Sequence, residues 1–182
     1  MRINNPPLIL DNTVIARFAG TNQFNLLCQL YSKRIIIPSN VIAEAVIVPG
    51  TEQILQSAIQ DNHIEIYTLD YISGATEFKE YAQLRRRFGE GESAAMAIAK
   101  TWNCTLGSDD LSATLKYSRN HGIQLIGSLG ILYDAFESNL LNYGQAAQLL
   151  VDMITVTGYR CPVNNFQQVV DWFTNGIGRE LF

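Results

Sequence analysis

The sequence predicts an α/β fold, a mostly parallel β-sheet flanked by helices, and three observations predict it. At 182 residues with 47% hydrophobic and 16% charged residues, the chain suits one well-cored globular domain. Short apolar runs recur along it and read as buried strands. Helical patterns separate those runs, and such alternation favours a parallel sheet covered on both faces.

The first run, "LIL" at 8–10, reads as a buried strand running straight into Asp11. Residues 22–32 place Phe24, Leu27, Cys28 and Tyr31 at helical spacing. "RIIIP" (34–38) is a β-branched strand stopped by proline. "SNVIAEAVI" (39–47) then reads as a helix with Ser39 as N-cap and Val41, Ile42 and Ala45 on one face. "HIEIYTL" (63–69) alternates like a strand with one covered face. Residues 75–88 form an amphipathic pattern ending in three arginines, which suit a helix C-terminus. The alanine-rich stretch 91–102 predicts a closely packed helix, "CTLGS" (104–108) a strand, and 109–122 a helix with acids in its first turn and Gly122 as C-cap. "IQLIG" (123–127) is a further strand, followed by the helix "SLGILYDAFESN". Residues 139–182 show no clear strand, and "YGQAAQLLVDMI" and "NNFQQVVDWF" read as two helices joined by "TVTGYRCPV". The expected organisation is a domain over 1–138 with a helical extension over 139–182 packed on it.

Composition excludes several functions. Cys28, Cys104 and Cys161 are scattered and odd in number, so neither a disulfide framework nor a CxxC metal site is expected; His63 and His121 are also isolated. Any metal must be bound by oxygen. The net charge of −4 argues against coating nucleic acid by charge alone and leaves room for local basic patches. No apolar run reaches the roughly 18 residues of a membrane span, and Asp11 interrupts the short apolar N-terminal stretch, so a cytoplasmic protein is expected.

Ligands of open α/β sheets bind beyond the carboxyl ends of the strands. Asp11 ends the first strand, and Asp109 and Asp110 follow "CTLGS". Glu44 sits in an otherwise apolar helix, where burying it without a partner is costly. Glu92 opens the alanine-rich helix, with Gly91 leaving room for a close approach. Each acid alone has an ordinary explanation, as an N-cap, a solvated side chain or a complement to a helix dipole. Converging carboxylates, in contrast, need a hard divalent cation such as Mg²⁺ or Mn²⁺.

Asp11 with Thr13 after an apolar strand, Glu44 after "IIIPSNV", Glu92 in "GEGESAAMAIA", and "GSDDLSATLKYSRNHGIQLIGSLGILYDA" together resemble the PIN-domain ribonucleases, most closely a prokaryotic branch with "GEGE" and "SDD…GSLG" motifs. The resemblance spans about 7–138, and the C-terminal helices are also similar to that branch. It implies a three-layer sandwich, a Mg²⁺ or Mn²⁺ site, and metal-dependent cleavage of RNA. Many small prokaryotic members are toxins of toxin–antitoxin pairs, and many dimerise, so a small antitoxin and a second copy are implied partners. By the resemblance, Asp11, Glu44, Glu92 and Asp109 form the acidic set, with Thr13 supporting Asp11 and Ser108 as the small polar residue before the last acid. Asp109 is preferred because it directly follows Ser108; Asp110 is the alternative, in which case Asp109 becomes an N-cap. Arg85, Arg86, Arg87, Lys116 and Arg119 are the expected RNA contacts, although a basic helix end is also simply solvated. Tyr117 suits base stacking or packing.

Two other classes compete. A PIN-like fold serving as a catalytically silent RNA- or protein-binding module is the main alternative. A nucleotide-binding protein is disfavoured because "GEGES" follows a helix rather than a strand, and neither a GxGxxG nor a Walker lysine is present. No GxSxG supports a hydrolase triad.

Overall fold

The computed structural model describes residues 3–47, 50–72, 75–110 and 114–176. Strands β1 (Leu8–Leu10), β2 (Ile35–Pro38), β3 (Ile64–Tyr67), β4 (Thr105–Gly107) and β5 (Leu125–Ile126) form one sheet in the order β3-β2-β1-β4-β5, with every neighbouring pair parallel. Side chains alternate across it, as a two-residue period requires. Leu8, Leu10, Ile35 and Ile37 enter one core, while Ile9, Ile36 and Leu106 enter the other.

The first core lies under α1 (Asn12–Gly20), α2 (Phe24–Tyr31), α3 (Ser39–Ala45), α4 (Thr51–Gln60), α8 (Ser128–Glu137), α9 (Tyr143–Thr157) and α10 (Phe166–Thr174). The second lies under α5 (Ala75–Leu84), α6 (Glu90–Trp102) and α7 (Thr114–His121). Small side chains let α6 sit directly on the sheet: Ala94, Ala95, Ala97 and Ala99 are all fully buried. The C-terminal helices belong to the first core, where Leu149, Leu150 and Met153 of α9 and Phe166, Val169 and Phe173 of α10 are buried. Both helices are capped at their N-termini by asparagine, Asn142 and Asn165, each accepting a backbone N–H at 3.0 Å. Among the described residues, no helix is long and apolar enough to cross a membrane.

The structure adds α1 and α4, which are not among the elements expected from the sequence. The corner before α3 also differs from expectation. The helix begins at Ser39 itself, and Pro38, with φ −59°, stands at the cap without a side-chain bond. The face of β3 expected to be covered is covered only in part, at Ile64. The strand lies at the sheet edge, and Ile66 is 40% exposed. Gly122 does end α7, with the positive φ of +66° that glycine tolerates. Residues 111–113 of the expected helix 109–122 lie outside the described residues.

The chain winds from β1 to β2 and β3 on one side, then crosses to β4 and β5 on the other. That reversal leaves a crevice beyond the carboxyl ends of β1 and β4, the place where open α/β sheets bind ligands.

Candidate functional site

Because Leu10 pairs with Gly107, the chain delivers the next residues, Asp11 and Ser108, side by side at the crevice. Asp11 caps α1: its Oδ1 accepts the Asn12 N–H at 2.6 Å. Its Oδ2 accepts from Ser108 Oγ at 2.9 Å and Thr13 Oγ1 at 3.1 Å. The same hydroxyls bind the following turn, Thr13 accepting the Asp109 N–H at 3.0 Å and Ser108 the Asp110 N–H at 3.2 Å. Thr13 and Ser108 therefore hold both the carboxylate and the chain opposite it. Asp11 is only 4% exposed, and burial raises its pKa despite three hydrogen bonds that pull the other way.

Glu44 approaches from α3, and its Oε1 accepts the Gly91 N–H at 2.8 Å. A Cβ on residue 91 would stand 2.8 Å from Glu44 Oε2, so any larger residue there would displace the Glu44 carboxylate. Glu92, in the first turn of α6, faces the same space. Burial pushes its pKa up to about 7; Asp110, Asp11 and Glu44 push in the same direction, and a backbone hydrogen bond from Gly89 only partly offsets them. Glu92 Oε1 is buried without a hydrogen-bond partner. Such an orphaned acceptor is costly unless something cationic or protic completes it.

The two adjacent aspartates part company. Asp110 is the strongest of the charges acting on Glu92. Asp109 is turned away: its Oδ1 accepts the Ser128 N–H and its Oδ2 the Ser128 Oγ, both at 2.7 Å. Arg17 Nε lies 3.8 Å from the same Oδ2. Burial raises the Asp109 pKa, against the Ser128 bonds and the Arg17 charge. Arg17 continues to the C-terminal helices, donating to the Thr157 carbonyl at 2.6 Å and lying over the Tyr159 ring at 5.3 Å. So the structure brings Asp11, Glu44, Glu92 and Asp110 into one electrostatic neighbourhood, and gives Asp109 a different set of partners. Arg17 and Ser128 escape sequence reasoning. Nothing local links Arg17 to an acid some ninety residues on, and a serine at a helix start does not reveal which acid it meets.

Among the described residues, no three acidic, histidine or cysteine side chains close on a single point as they stand. The set nonetheless fits a hard divalent cation in its chemistry: all donors are oxygens, one is orphaned, and a glycine keeps the Glu44 carboxylate close.

Of the expected RNA contacts, Arg85 is engaged with Glu90 at 3.0 Å and the Phe88 carbonyl at 2.7 Å. Arg86, Arg87, Lys116 and Arg119 are exposed. Tyr117 is half-buried, donates to Glu80 at 2.7 Å, and has His121 on one side at 4.2 Å, so its role here is packing.

A comparison with curated proteins returns no match. A family model described as the PIN domain matches residues 7–174, from just before β1 to the last residue of α10. With that match, the all-parallel sheet and the crevice at its winding reversal, the chain belongs to the PIN-domain family, whose fold is of the nuclease type.

Proposed function

We propose that the protein is a Mg²⁺- or Mn²⁺-dependent endoribonuclease that hydrolyses RNA phosphodiester bonds. The observation that carries this reading is the buried, unpartnered Oε1 of Glu92 among three further carboxylates. Asp11, Glu44 and Glu92 would hold the cation, and Asp110 takes the fourth place, because it acts on Glu92 while Asp109 is held against Ser128 and Arg17.

A bound divalent cation would supply Lewis acidity toward a phosphate oxygen and lower the pKa of a coordinated water. The chain contributes order. Thr13 and Ser108 fix the rotamer of Asp11 and the path of the Asp109–Asp110 turn. The Gly91 N–H orients Glu44. Asp109, Ser128 and Arg17 anchor the loop from behind. Exposed Arg86, Arg87, Lys116 and Arg119 offer charge to the RNA backbone.

An RNA cleavage assay with Mn²⁺ or Mg²⁺ tests this, comparing the wild type with Asp11→Asn and Glu92→Gln. Loss of cleavage in both variants is expected; equal cleavage in all three overturns the reading. One observation favours a silent binding module: among the described residues, no three such side chains close on a single point. Calorimetric titration decides between the two, since a module without the site binds no Mn²⁺ at millimolar concentration.

The narrower role, the toxin of a toxin–antitoxin pair with a small protein covering the site, follows from the family resemblance. Induced expression of the wild type should then arrest growth, and Asp11→Asn should relieve the arrest. A homodimer, also part of this reading, is checked by light scattering.

A further inference from the structure

We propose that a cleft between α5, α6 and α7 binds one nucleotide of the RNA, stacking its base, reading the base edge and holding its phosphate. This rests on the ribonuclease reading for the identity of the strand, but on separate residues. The cleft has a volume of about 410 Å³, within the size of small-ligand sites. Its walls continue from the segments that carry the acids: α6 begins just before Glu92, and α7 follows Asp110. Lys100, at its floor, is eight residues beyond Glu92 on α6, roughly 12 Å along the helix. A nucleotide flanking the scissile bond can therefore reach it.

The floor is a closed polar network. Glu80 accepts from Lys100 at one oxygen and from Tyr117 at the other, both at 2.7 Å. The Lys100 and Glu80 charges cancel there, and those hydrogen bonds hold the Glu80 carboxyl below its usual range against the effect of burial. Two exposed cations remain on the walls, Arg87 and Lys116, and neither has an ion-pair partner among the described residues. In a chain of net charge −4, a cleft carrying two uncompensated cations selects an anion.

The other lining groups select a base rather than phosphate alone. Lys100 lies toward one face of the Tyr117 ring at 5.9 Å, and the tilted His121 ring packs against it at 4.2 Å. His121 is itself exposed and lines the cleft, so Tyr117 backs an accessible aromatic platform. Stacking on such rings holds a single-stranded base without regard to sequence. The exposed amides of Gln83 and Asn120 add donors and acceptors for the base edge.

The test measures three things on the full chain: anisotropy of labelled single-stranded RNA in EDTA over a salt series, calorimetric Mn²⁺ affinity, and sequencing of the ends cut from a mixed RNA pool. In Arg87→Glu with Lys116→Glu, RNA binding should weaken by about 10-fold or more and the log–log salt slope fall by roughly 0.7, the single-strand value for one lost phosphate contact, with Mn²⁺ affinity unchanged. In Gln83→Ala with Asn120→Ala, the base preference on one side of the cut should flatten. His121→Ala should weaken binding several-fold. All five side chains are exposed, so folding is not at risk. If the wild type cuts RNA while these variants match it in affinity, salt slope and cut pattern, the cleft assignment falls and the ribonuclease reading stands. If the wild type binds RNA through these residues without cutting it, the cleft stands and the ribonuclease reading falls. If the wild type binds no RNA, the cleft assignment is overturned.

Discussion

The two sides of the crevice treat their carboxylates in opposite ways. On the strand side, Asp11 and Asp109 are surrounded by donors: Asn12, Thr13 and Ser108 for the first, and Ser128 with Arg17 for the second. On the helix side, Glu92 has a buried oxygen with no donor and three acidic neighbours. The carboxylates of the first side are held by donors, and that of Glu92 on the second is left incomplete. A buried carboxylate oxygen without a donor, set among like charges, is costly, and an outside cation would complete it.

Substitutions on the two sides should therefore change stability with opposite signs. Removing Asp109 strands the buried Ser128 donors and leaves the partly buried Arg17 without its carboxylate, so Asp109→Ala should cost about 3 kcal/mol and lower the melting midpoint by roughly 6–12 °C. Thermal denaturation checks it; an unchanged midpoint would break the contrast. Glu92→Gln removes a charge that its neighbours repel, so without metal its midpoint should equal or exceed that of the wild type, while Mn²⁺ should no longer raise it.

Gly91→Ala sharpens the comparison, because it touches only the helix side. Alanine is the better helix former by about 0.8–1 kcal/mol, and the atoms it meets belong to the flexible end of Glu44. The fold should stay intact while Mn²⁺ affinity drops by about 10- to 100-fold in calorimetry, the range for disturbing a group that orients a ligand. Retained affinity would show that Glu44 is not needed in its present position.

The pH dependence is the smallest effect and points the same way. Glu92 titrates near 7 in the folded chain against 4.5 ordinarily, so between those values the folded state holds a proton that the unfolded state releases. Its contribution to stability is then fully present below about pH 4.5 and is lost as pH rises through 7. Asp11 and Asp109 are shifted in the same direction. The metal-free midpoint should fall from pH 5 to pH 8, and Glu92→Gln should flatten that slope. A cation competes with the proton, so the Mn²⁺-induced rise should be larger at pH 8 than at pH 6.

Much of the fold is legible in local pattern. The runs "LIL", "IIIP" and "CTLG" are apolar because both faces of their strands are covered, and that signal needs no partner to read. The helix α1 buries Val14, Ile15, Phe18 and Ala19 at helical spacing, and what makes it hard to separate is its start directly after β1, with Asp11 alone between them. Part of the crevice is legible too. Asp11 stands where a strand ends, and Glu44 is conspicuous among aliphatics.

By itself, the sequence determined the alternation of strand and helix, the oxygen-only chemistry open to any metal, and the short set of acids worth watching. Only the tertiary structure decided between Asp109 and Asp110 as neighbours of Glu92. Adjacent residues in a turn point to different places, and which way each points depends on Ser128 and Arg17, which no local pattern links to them. The cleft was likewise out of reach, because Arg87, Lys100 and Lys116 meet only once α5, α6 and α7 have packed. Periodicity records what a residue turns toward the core, whereas a site is made by long-range packing that brings distant side chains to one point.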